Sequence, residues 1–161
     1  MGIMNLTHLL PSVQEIALLS AEQRISKLHS DYWIGYNLAE KALNRLEELL
    51  NHPKRLRMPN MLIIGPTNNG KTMIVEKFRH KHLPYESEDG EHKVIPVLMV
   101  QMPSDPTIQR FYAAIITALG SPVSNYPSKV RYETMALKLL RITKTKILII
   151  DELHNVSWKY L

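Results

Sequence analysis

Apolar residues recur along this chain in two rhythms, and the switch between them marks out its elements. In YNLAEKALNRLEELLN, Leu38, Ala39, Ala42, Leu43, Leu46, Leu49 and Leu50 repeat every three or four residues. That spacing predicts an amphipathic helix ending at Asn51 and Pro53. Upstream, Ser20 and Gln23 are placed as a capping box, each side chain serving a backbone amide left unpaired at a helix start, so a short helix through about Leu28 is expected. MLIIG, residues 61–65, is instead a continuous apolar run closed by glycine, the pattern of a strand buried on both faces. VIPVLMVQM reads as a second such strand, with Pro96 marking a strand start or a sheet edge, and ILIID, residues 147–151, as a third.

Helices fill the intervals. One is expected from Lys71 to about His82, followed by the polar loop LPYESEDGEH. Asp105-Pro106 supplies a cap and a first-turn proline for a helix carrying Phe111, Ala114, Ile115 and Ala118, which Gly120 closes. After the loop SPVSNYPS, another helix carries Met135, Ala136, Leu139 and Leu140. Strands separated by helices predict an α/β fold, a parallel sheet flanked by helices on both faces.

The junction between the first strand and its helix carries the chemistry. Gly65-Pro-Thr-Asn-Asn-Gly70-Lys71-Thr72 fits G-x-x-x-x-G-K-[ST] at every fixed position, between a predicted strand and a predicted helix, as a phosphate loop requires. The glycines let the backbone curl so that successive amides point inward, and the helix adds its positive end. The nucleotide cradle is therefore Gly65, Pro66, Thr67, Asn68, Asn69 and Gly70 with Lys71, Thr72 and Met73. Lys71 would reach the terminal phosphates and the Thr72 hydroxyl would enter a Mg2+ shell. Asp151 ends the third strand and Glu152 follows it, on the rim where parallel sheets bind ligands. One carboxylate there holds magnesium and the next accepts a proton from an attacking water, against a solvated acidic turn as the plain alternative. No Asn-Lys-x-Asp guanine-reading pattern occurs, and nothing positively marks adenine.

Composition narrows the setting. The chain has 161 residues, 45% hydrophobic and 22% charged, enough for one domain with a core. Its formal charge of +5 permits nucleic-acid binding without requiring it. With no cysteine there are no disulfides and no thiolate metal sites. The N-terminus lacks the pattern of a signal peptide and no apolar run reaches membrane-spanning length, so a cytoplasmic protein with no membrane association is expected.

RMPNMLIIGPTNNGKTMIVEKF together with ILIIDELHN resembles the TniB-like AAA+ ATPases of transposons, relatives of TnsC. DYWIGYNLAEKALNRLEELLNHPKRLRMPN and QMPSDPTIQRFYAAIITALGSP are similar to that family as well, so the likeness runs from about Ser20 to the end. The resemblance implies an ATP- and Mg2+-dependent regulator that selects transposition targets and recruits the transposase. It also implies a homo-oligomer, ring or filament, assembled on double-stranded DNA. Residues 1–60 would be a helical segment packing on a P-loop core at residues 61–161. Lys71 and Thr72 would contact nucleotide and metal, Asp151 the metal, and Glu152 would be the catalytic base, with Lys129 and Arg131 as candidate DNA contacts.

In the AAA+ strand order 5-1-4-3-2, a fourth strand separates the phosphate-loop strand from the Asp151 strand. Because the sequence ends at NVSWKYL, the expectation is an AAA+ sheet truncated after the Asp151 strand, with weak hydrolysis in the absence of a neighbour-facing arginine. A catalytically impaired nucleotide- or DNA-binding adaptor and a small-metabolite P-loop kinase are the rival readings. His80 and His82 are expected at the surface rather than on a metal. His154 and Asn155 would either orient Glu152 or cap its turn, and Trp33 and Tyr36 would pack in a core or cover a base.

Overall fold

The computed structural model describes residues 6–29, 33, 35–123 and 128–156, so part of the loop SPVSNYPS lies outside the described residues. The chain divides into two compact units, Met1–Gly35 and Tyr36–Leu161. The first contains helices α1 (Pro11–Ala17) and α2 (Ala21–Leu28). α2 starts on the expected capping box, Ser20 Oγ accepting from the Gln23 amide and the Gln23 side chain accepting from the Ser20 amide. α1 opens on Pro11, whose missing N–H is harmless in a first turn.

The second unit contains α3 (Asn37–Leu50), α4 (Lys71–Lys81), β1 (Tyr85–Glu86), β2 (Lys93–Val94), β3 (Val97–Gln101), α5 (Ile108–Ala118), α6 (Lys129–Ile142) and β4 (Ile147–Asp151), closed by a 3-10 turn, Leu153–Asn155. The apolar stripe of α3 buries Ala39, Leu43, Leu46 and Leu50 and packs on α4, where Ile74, Val75 and Phe78 are buried. α4 and α5 both contact β3. Successive β3 residues Val97 and Leu98 are buried, which requires cover on both faces of the strand. Leu98 and Val100 form one core cluster with Ile115, Ile116 and Ala136, and Leu148 and Ile150 of β4 pack against it.

β3 and β4 are parallel neighbours in register from Val97↔Ile147 to Gln101↔Asp151. Hydrogen bonds hold both ends of the pair. Pro96 O accepts from Lys146 N at 3.0 Å and Ile147 N at 3.1 Å, and Met102 N donates to Asp151 O at 2.9 Å. Pro96 thus sits immediately before β3, where its missing donor is not needed, as its sequence position implies.

Five expectations need correction. Residues 61–65 form no strand, and Leu62 and Ile64 are 67% and 83% exposed. Apolar continuity makes a segment able to enter a sheet, but a strand exists only through its ladder partners, and none of the described residues pairs with this one. β4 itself has β3 as its sole partner among the described residues, and all five of its residues are only half-buried. Second, the polar loop after α4 contains an antiparallel hairpin, Tyr85↔Val94 and Glu86↔Lys93, turned at Gly90 with φ 69°. Third, α5 begins at Ile108 behind Thr107, whose hydroxyl accepts from Arg110 N at 3.2 Å. Asp105 is drawn instead into an ion pair with Arg110 at 2.6 Å, which leaves Pro106 ahead of the cap. Fourth, His82 is half-buried rather than fully at the surface: its ring lies 4.8 Å from that of Phe78 and its Nε2 is 2.9 Å from Glu47 Oε2, so it joins α3 to α4. His80 remains exposed. Fifth, Tyr36, at the start of α3, is exposed rather than packed in a core.

No helix among the described residues is long and apolar enough to cross a membrane.

Candidate nucleotide-phosphate site

The backbone curl that the loop sequence demands is present. Asn68 has φ 59° and Gly70 φ 71°, two left-handed residues that turn the chain back on itself before α4 begins at Lys71. Asparagine tolerates that region better than most residues with a side chain, and glycine enters it freely. The first bond of α4 runs from Ile74 N to Gly70 O at 3.0 Å. The amides of Lys71, Thr72 and Met73 precede it, so they stand at the positive end of the helix dipole with no partner inside the helix. Such a terminus is a ready anion site.

Lys71 folds over the loop that precedes it, its Nζ donating to Gly65 O at 2.9 Å and Pro66 O at 2.8 Å. A phosphate arriving at the loop would meet the ammonium already there, exchanging two neutral acceptors for an anionic one. Charge-assisted bonds of that kind are about twice as strong as neutral ones.

Thr72 connects this loop to the far strand. Its Oγ1 donates to Asp151 Oδ2 at 3.0 Å across 79 residues of sequence. The other Asp151 oxygen, Oδ1, accepts from the Glu152 amide at 2.8 Å, which orients the carboxylate toward the loop. The two segments that the sequence singles out therefore meet at one hydroxyl–carboxylate contact. Two hard oxygens together suit magnesium, which takes one or two protein oxygens and fills its octahedron with phosphate and water. Among the described residues no group of three or more His, Asp or Glu side chains is arranged to hold a metal by itself.

Glu152 leaves β4 in a left-handed conformation, φ 55° and ψ 34°, which strains a residue with a side chain and concentrates at functional positions. Its Oε2 lies 3.2 Å from His154 Nε2, and Asn155 Nδ2 donates to Met102 O at 3.0 Å. The two alternatives for this turn are thus divided between its residues. His154 touches the carboxylate, and Asn155 ties the turn to the end of β3. The bond to Met102 carries no sequence signal, since its partner is a backbone carbonyl 53 residues away.

Lys129 and Arg131 are exposed in the first turn of α6 and are not part of this constellation. Ser128 caps that helix, its hydroxyl accepting from the Arg131 amide at 3.4 Å.

In comparison with protein families, residues 24–158 match the one described as "TniB: Bacterial TniB protein".

Proposed function

The chain belongs to the bacterial TniB family, and on that premise we propose that it is an ATP-binding, AAA+-type regulator of DNA transposition. The family is one of transposition-related, ATPase-like proteins, and a P-loop fold agrees with the small parallel sheet flanked by helices. The observation that carries the nucleotide reading is the 3.0 Å contact of Thr72 with Asp151. It joins a hydroxyl from the phosphate loop to a carboxylate from the sheet, with Lys71 and the first amides of α4 beside it.

In this reading the amides of the loop and of Lys71, Thr72 and Met73 cradle the phosphates of ATP, and Lys71 bridges the terminal ones. Thr72 and Asp151 hold Mg2+, which supplies charge neutralisation on the phosphates. Glu152 accepts the proton of the attacking water, with His154 Nε2 3.2 Å from its Oε2. In the AAA+ strand order, residues 61–64 and β4 flank one further strand, which agrees with both being unpaired toward each other. ATP would favour an oligomer on double-stranded DNA, Lys129 and Arg131 contributing to the phosphate contacts, and hydrolysis would release it before or after the transposase engages.

The test is ATP turnover by the wild-type chain and by Glu152→Gln. Removing a general base costs on the order of 100-fold to 10,000-fold in rate. Turnover in the wild type that Glu152→Gln abolishes, with MgATP binding kept, supports the hydrolysing reading. Binding without turnover in the wild type supports the adaptor instead, and turnover that survives Glu152→Gln removes the base assignment.

A further inference from the structure

Asn69 is the one asparagine of the sequence that precedes a glycine. That pairing matters for a covalent reason. The side-chain carbonyl carbon of an asparagine lies within reach of the backbone nitrogen of the next residue, and bond formation between them closes a succinimide ring. A side chain on that next residue crowds the approach, and glycine has none. At Gly70 even a built Cβ meets nothing within 4 Å, so the space around the attacking nitrogen is open.

The fold leaves both reacting groups available. Asn69 is exposed, in the bend that leads into α4, and neither its side chain nor the Gly70 amide has a hydrogen-bond partner among the described residues. Exposure alone does not single it out, because Asn44, Asn51 and Asn60 are exposed as well. Asn51 Nδ2 donates to Glu47 O at 3.0 Å, and the amide that follows it, His52 N, donates to Leu49 O at 3.2 Å. Asn44 lies inside α3, where the next amide belongs to the helical ladder. Asn60 precedes Met61, whose side chain crowds the nitrogen. Only at Asn69 do an unheld side chain, an unheld amide and a missing Cβ coincide among these four.

We propose that Asn69 is a site of spontaneous deamidation, and that this modification disables the loop as a phosphate cradle. Gly70 N gives up its proton and attacks Asn69 Cγ. The N–Cγ bond forms, the Cγ–Nδ2 bond breaks, and Nδ2 leaves as ammonia with the proton. Water, the sole co-reactant, then opens the ring: breaking the N–Cγ bond gives aspartate, and breaking the bond from Gly70 N to the Asn69 backbone carbonyl carbon gives isoaspartate. Aspartate puts a carboxylate where Asn69 Nδ2 now lies over Gly65, next to the stem of Lys71; Nδ2 and Lys71 Cδ are 3.5 Å and 3.9 Å from the position of a Cβ on Gly65. That carboxylate repels a phosphate and competes with it for the Lys71 ammonium. Isoaspartate also routes the main chain through an extra methylene, which changes the spacing of the left-handed turn at Asn68 and Gly70. The loss of nucleotide affinity rests on the MgATP reading of this loop, whereas the modification itself does not.

Peptide mapping by mass spectrometry of the folded full chain, aged at neutral and at mildly alkaline pH, tests it. The expected result is replacement of NH2 by OH at Asn69 ahead of Asn44, Asn51 and Asn60. The rate should rise with pH, because the attacking nitrogen must lose its proton. Gly70→Ala, which adds a methyl group beside that nitrogen, should slow the conversion. Asn69→Asp, the aspartate product made uniform, should bind MgATP about tenfold or more weakly than unaged wild type. Circular dichroism spectra show that both variants are folded. Asn69 converting no faster than the other three asparagines, a rate unchanged in Gly70→Ala, or equal MgATP affinity in Asn69→Asp and a wild type that binds it overturns the proposal. A wild type that binds no MgATP while Asn69 converts removes the nucleotide reading and leaves the modification standing.

Discussion

Replacing Gly70 with alanine isolates the part that backbone shape plays in phosphate binding. Gly70 has φ 71°, and a Cβ built there meets nothing within 4 Å, so alanine introduces no clash with the rest of the chain. What remains is the cost of a left-handed conformation for an L-residue, about 1 to 2 kcal/mol. That cost has two outlets. If the loop keeps its curl, the folded state loses the full amount, and at about 2 to 4 °C per kcal/mol for a chain of this size the melting temperature falls by about 2 to 8 °C. If the loop relaxes to negative φ, stability is spared and the curled, binding-competent form becomes about 5- to 30-fold rarer. Apparent MgATP affinity then drops by the same factor. Thermal melts followed by circular dichroism, with calorimetric titration of MgATP, measure both outlets, and their free energies should sum to about 1 to 2 kcal/mol. An alanine variant that matches the wild type in both would show that the curl at Gly70 is not needed to hold the phosphates.

Phe78 is fully buried between α3 and α4, so Phe78→Ala should cost about 3 to 5 kcal/mol in urea denaturation, and a loss under about 1 kcal/mol would mean the α3–α4 contact is not part of the core. Tyr112 is pushed above its ordinary 10.0, first by burial and then by the charge of Glu133, to which it also hydrogen-bonds. The folded state therefore holds that proton more tightly than the unfolded state, so stability is level below pH 10 and falls as pH rises through the raised value. Tyr112→Phe should flatten that alkaline limb, and an unchanged limb would assign it to another group.

What could be read from the sequence was what depends on neighbours in the chain. The Ser20–Gln23 box spans three residues, and the periodic leucines of α3 need only a helix to fall on one face. The curl of the loop at residues 65–70 is as legible, because its left-handed glycine and the helix start behind it are local requirements. Thr72 and Asp151, one from each of the two motifs, are in hydrogen-bond contact, while Lys71 folds back on its own loop.

The misses depend on partners distant in the chain. MLIIG has every local property of a strand and forms none among the described residues, since no strand lies beside it. His82 looks like one more polar residue at the end of α4, yet Glu47, 35 residues earlier, and the Phe78 ring both contact it. At α5 two caps compete within three residues, and the ion pair of Asp105 with Arg110 leaves Thr107 to cap the helix. The hairpin did leave a signal: Asp89-Gly90 is a favoured hairpin turn pair, flanked here by Tyr85 and Val94, but its acidic surroundings read as loop.

The central claim, that the curled loop, Lys71 and the Thr72–Asp151 pair bind MgATP, is tested most directly by titrating a fluorescent ATP analogue into wild type and Lys71→Ala, with and without Mg2+. Lys71 already donates to two carbonyls of the loop, and exchanging these for phosphate gains about 1.5 to 3 kcal/mol per charged bond. The account predicts saturable, Mg2+-dependent binding to the wild type and affinity at least about 10-fold weaker in Lys71→Ala. Equal binding by the two proteins, or none by the wild type up to about 1 mM nucleotide, an affinity of only about 4 kcal/mol, would contradict it.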